Sequence, residues 1–121
     1  MKPIYRKRLR KLAEYLLTQV PQDKFDMSYY RTGGDMDHVC GTAGCALGWS
    51  PAIMSKKTYY KYRSTGCSIG TMFEKISNNY LGIESDTVWS YIFSEYWAYK
   101  DNTPQGAAAR IPYFLDHGVP D

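Results

Sequence analysis

The sequence predicts a mainly α fold: a single compact domain of four to five helices, with a Tyr-rich loop or short hairpin. Three observations carry this reading. The chain has 121 residues, 44% hydrophobic and 22% charged, which suits one domain with one hydrophobic core. Its first twenty residues repeat apolar positions at helical spacing. Near the other end, Thr103 followed by Pro104 is a helix start, since proline's missing N–H costs nothing at the first helical position.

The elements follow in order. In "IYRKRLRKLAEYLLTQV", residues 4–20, Leu9, Leu12, Ala13, Leu16 and Val20 form one apolar stripe, with the basic side chains largely on other faces. Pro21 ends that helix. The next segment, "PQDKFDMSYYRTGGDMD", reads as loop, with one short extended piece around Phe25 to Tyr29. Thr42 reads as the N-cap of a helix whose first turn is Ala43, Gly44 and Cys45 and which continues through Ala46, Leu47 and Trp49. Pro51 ends or kinks it, and a second short piece is able to start there. The stretch "KKTYYKYRSTGCSIG" reads as a loop or hairpin. A helix then runs from about Ser68 or Thr71 through Met72, Phe73, Ile76 and Tyr80 and stops at Gly82. A shorter one, Asp86 to Tyr96, carries Val88, Trp89, Ile92 and Phe93. The last helix places Ala107, Ala108, Ile111, Phe114 and Leu115 on one face and ends at Gly118 and Pro120. Pro112 inside it predicts a kink or a break after Arg110.

Charge is polarised along the chain. Six of the fifteen Lys and Arg residues fall in the first eleven positions with no acid among them, leaving nine basic against twelve acidic residues in the remainder. The basic start is not followed by an apolar run, because Glu14 and Gln19 interrupt it, so neither a secretory signal nor a membrane span is expected. The expected compartment is the cytoplasm, which three cysteines, an odd number, fit better than a disulfide framework.

The order "KFDM", "CGTAGCALGW", "YLGI" before "YIFSEYW", and "TPQGAAARIPYFLDHG" resembles a family of small uncharacterised proteins of bacteria and their phages. Its members carry a Cys-Gly-Thr-x-x-Cys-x-x-Gly core and a Thr-Pro-led C-terminal helix. The resemblance spans nearly the whole chain and implies a phage context. Gly44 stands where most relatives have alanine, and Lys56 to Gly66 is particular to this member.

Two regions hold candidate chemistry. In "DHVCGTAGCALGW", His38, Cys40 and Cys45, with Cys67, are a combination zinc accepts, although the spacing lacks the usual pair of Cys-x(2–4)-Cys motifs. Alternatively His38 serves as base to a thiol at Cys40 or Cys45 that a helix N-terminus activates. A Cys40–Cys45 disulfide and an anion held on backbone amides are further options. The plainest reading is close packing: Cys40, Ala43, Cys45, Ala46 and Gly48 are small residues that let helices approach.

The second region is basic and aromatic. Arg6 and Arg10 belong to the cationic start of the first helix, where their charge opposes the helix dipole and invites an anionic partner. Tyr59, Tyr60, Lys61, Tyr62 and Arg63 interleave rings with cations, an arrangement that suits nucleotide or single-strand binding and equally a protein interface. The function expected is non-enzymatic binding: a phage-encoded counter-defence factor that sequesters a nucleotide signal or blocks a host nucleic-acid-binding or defence complex, with no cofactor and no membrane association. The exposed tyrosines also suit a homodimer. The alternative is a cysteine- or zinc-dependent enzyme centred on His38, Cys40 and Cys45.

Overall fold

Helix α1, Pro3–Gln19, forms where the apolar spacing places it, with Pro3 in its first turn and Leu9, Leu12 and Leu16 fully buried. It ends because Val20 precedes Pro21, whose ring disfavours helical backbone in the residue before it; Val20 is extended at φ −107°, ψ 110°. In this computed structural model the described residues are 1–25, 46–63, 69–93 and 103–119. Among them the chain is mainly helical with no strand: α1 is followed by α2 (Lys56–Arg63), α3 (Ile69–Lys75), α4 (Asp86–Phe93) and α5 (Pro104–His117). Short 3₁₀ turns span Gln22–Lys24 and Ser50–Ile53, and a π turn, Ile76–Tyr80, continues α3.

The principal packing is α1 against α5. The pair is antiparallel, since Arg6 reaches the Leu115 carbonyl while Ala13 and Leu17 share a groove with Gln105, Ala108 and Pro112. The Thr103 hydroxyl caps α5 by accepting from the Gly106 amide at 2.9 Å, and Gly118 closes it at φ +77°, its N–H donating to the Phe114 carbonyl.

The expected break after Arg110 does not occur. Helix α5 runs unbroken through Pro112 to His117. An interior proline costs about 3 kcal/mol. The residues past the expected break that continue the buried face offset that cost: Ile111, just before the proline, is fully buried and Leu115, beyond it, nearly so, and each such side chain contributes about 1.5–3 kcal/mol.

The segment read as a Tyr-rich loop or hairpin is also different: Lys56–Arg63 is helix α2. Ser55 starts it, its hydroxyl accepting from the Thr58 amide at 3.2 Å and donating to the Thr58 hydroxyl at 2.9 Å. Tyr59 and Tyr62, three apart, turn to one side where Tyr59 is buried and Tyr62 half-buried. Tyrosine's preference for strands is thus overridden by a cap and a one-sided apolar stripe.

Of the helix expected to start at Thr42, residues 42–45 lie outside the described part; Ala46–Trp49 are turns and Ser50–Ile53 is the 3₁₀ piece beginning around Pro51. The extended piece is visible at Phe25, buried at φ −120°, ψ 128°; residues 26–29 lie outside the described part, as do residues 94–96 of the helix expected to reach Tyr96. Helix α3 and its π turn stop where predicted, at Gly82 with φ +71°. The Leu81 amide donates to Ile76 O and the Ile83 amide to Ser77 O. Phe73, Ile76, Leu81, Ile83, Ile92 and Phe93 complete the core beneath α1 and α5.

Candidate anion-binding face

Helix α2 carries four cations and no acid in eight residues. Its inner side is fixed. Tyr59 is 8% exposed, and the Tyr62 ring meets Tyr80 edge-on at 6.4 Å. Tyr80 in turn lies beneath the Arg8 guanidinium, 4.0 Å from the ring centroid, while an Arg8 N–H donates to the Tyr80 carbonyl at 2.9 Å. Burial raises the pKa of the Tyr62 phenol; the nearby Arg8 charge pulls it down, and Tyr80 and Tyr5 push it up.

The outer side presents Lys56, Lys57, Tyr60, Lys61 and Arg63 to solvent. Tyr60 is 49% exposed, with the Arg63 guanidinium 6.0 Å from its ring centroid and the Tyr59 ring at 5.7 Å. Of the five residues expected to make contacts here, the structure therefore brings Tyr60, Lys61 and Arg63 together on the surface and gives Tyr59 and Tyr62 to packing. Lys56 and Lys57 join the outward group because α2 is a helix. In a hairpin they would have alternated between faces.

The cationic start of α1 divides in the same way. The Arg6 guanidinium donates to the Leu115 carbonyl at 3.0 Å, and Arg10 pairs with Asp116 at 3.5 Å on the surface. Arg6 and Arg10 thus sit at the C-terminal turn of α5, and Arg8 at the end of the π turn. Helix C-termini carry partial negative charge and orphan carbonyls, so cations that oppose the dipole of α1 complement those of its neighbours. Arg6 and Arg10, expected to meet an anionic partner, have partners within the fold. Sequence reasoning missed the stack of Arg8, Tyr80 and Tyr62; its first two members lie 72 positions apart and no local pattern announces them.

Of the six cations in the first eleven residues, Lys2, Lys7, Lys11 and the ion-paired Arg10 are exposed. Lys11 borders a groove of about 240 Å³ with Tyr15, Ala52 and Ile53, so the turn leading into α2 lies beside α1. Tyr62, near the other end of α2, is close to Arg8 and Tyr5. The C-terminal end of α2 therefore approaches α1 near Arg8 and Tyr5, while Lys11 shares its groove with Glu14 and the turn before α2. The carboxylates of Glu74, Glu84 and Asp86 line a different cavity, of about 230 Å³, between α3 and α4.

His38, Cys40, Cys45 and Cys67 lie outside the described residues. Among the described residues no group of three or more His, Cys, Asp or Glu is placed to hold a metal ion, and no helix is long and apolar enough to cross a membrane. Comparisons of the chain with family models, with characterised proteins and with solved structures find no match.

Proposed function

We propose that this protein is a non-enzymatic binding protein that engages an anionic partner through the outer face of α2. One observation carries the reading: a helix whose inner side is locked by Tyr59 and Tyr62 displays Lys56, Lys57, Lys61 and Arg63 outward with no acid among them. Clustered charge of one sign steers an oppositely charged partner and speeds its association. The family resemblance of the sequence supports the narrower version, a phage-encoded counter-defence factor that captures a nucleotide signal or occludes a host nucleic-acid-binding or defence complex.

The test is binding of fluorescent inorganic polyphosphate to the full chain, followed by anisotropy over a salt series. Lys57→Glu with Lys61→Glu abolishes binding at moderate salt, while Lys2→Glu with Lys75→Glu, the same change in net charge placed elsewhere, keeps most of it. Equal loss in both pairs, or no binding by the parent at low salt, refutes the reading.

A further inference from the structure

Resting on that anion-binding reading, we propose that the partner is a single-stranded nucleic acid, with Tyr60 as the platform on which a base stacks and Lys57, Lys61 and Arg63 holding the flanking phosphates. The position of the Tyr60 ring leads to this. It stands half-exposed in the middle of a cationic face, braced by the Tyr59 ring at 5.7 Å and attended by the Arg63 guanidinium at 6.0 Å. A ring held by a buried neighbour has lost much of its freedom before a ligand arrives, so stacking costs less ordering. Aromatic faces set among cations are how sequence-tolerant single-strand sites are built, because every base has a π-face.

The other anionic partners fit less well. A duplex turns phosphates outward and keeps its bases stacked inside, leaving Tyr60 nothing to meet. An anionic bilayer needs an apolar stripe to enter, and among the described residues Tyr60 is the sole apolar side chain on a face otherwise made of Lys56, Lys57, Lys61 and Arg63. A lone nucleotide is held in an enclosed pocket, and among the described residues the cavities above are lined by α1, α3, α4, α5 and the 3₁₀ turn before α2 rather than by the cationic face of α2. A row of cations along eight helical residues, about 12 Å, suits a short stretch of polymer backbone.

The experiment measures affinities of the full chain for four probes at one salt concentration: an oligothymidylate of ~15 nucleotides, a length within the usual single-strand site sizes, a duplex of the same length, inorganic polyphosphate, and phosphatidylserine vesicles. The oligothymidylate binds at least about tenfold more tightly than the others. Tyr60→Leu weakens it about five- to 140-fold, as loss of one stacked base requires, and leaves polyphosphate binding unchanged, while Tyr60→Phe restores single-strand binding. Circular dichroism confirms that both variants keep the helical fold. If Tyr60→Leu leaves oligothymidylate affinity intact, or if duplex, polyphosphate or vesicles bind as tightly, the single-strand assignment falls while the anion-binding reading stands. If none of the probes binds, both fall.

Discussion

Replacing Gly82 with alanine tests how the end of the π turn is joined to α1. Gly82 has φ +71°, where an L residue costs about 1–2 kcal/mol. A Cβ built there collides with Cγ and Cδ2 of the Tyr5 ring and comes within 3.0 Å of its Cβ. Tyr5 is itself on α1, so relief requires the ring to leave its place beside Tyr62 or the helix to shift. Such overpacking costs typically about 1–3 kcal/mol. Gly82→Ala should therefore destabilise by about 2–5 kcal/mol in urea unfolding, with unchanged slope. A double-mutant cycle separates the two contributions: in a Tyr5→Ala background the ring is gone, and the cost of Gly82→Ala should fall to the backbone share of about 1–2 kcal/mol. A cost below about 1 kcal/mol in the parent, or one unchanged by Tyr5→Ala, would refute both the left-handed conformation and the close approach.

Three further outcomes are expected. Thr103→Ala removes the hydroxyl that accepts from Gly106 and should cost about 1 kcal/mol of stability, with Thr103→Ser recovering most of it. Arg8→Met should cost about 2–3 kcal/mol, because the Tyr80 carbonyl loses a charged donor and the ring its cation, and it should move the Tyr62 phenol still higher by removing the charge that lowers it; ultraviolet titration of phenolate reads that shift. Burial raises the phenol pKa values of Tyr62 and Tyr91, in Tyr91 against a lowering by Arg110 and with a smaller rise from Tyr113. The native state thus holds those protons to higher pH than the unfolded chain. The resulting stability is fully present below the unfolded value of about 10 and is lost as pH climbs through the raised native values. Alkaline unfolding midpoints should show this fall, and Tyr62→Phe with Tyr91→Phe should flatten it.

Local sequence was sufficient wherever one segment contains its own instructions. The stripe of Leu9, Leu12 and Leu16, the cap of Thr103 on α5, and the stop at Gly82 all follow from spacing or from the conformational range of a single residue type. Sequence also marked Tyr60, Lys61 and Arg63 as a surface, without the geometry that separates them from Tyr59 and Tyr62. Tertiary structure decided the rest. Pro112 stays inside α5 because Ile111 and Leu115 are buried, which a helical pattern read alone does not reveal. The tyrosine-rich strip became a helix because Tyr59 and Tyr62 had a core to enter and Tyr80 to meet. In a charge run that opposes its own helix, Arg6 and Arg8 found the carbonyl ends of two other elements and Arg10 the Asp116 carboxylate. The division has one physical cause: propensities and caps act within a few residues, whereas burial and electrostatic complement depend on which distant segments the fold sets beside them.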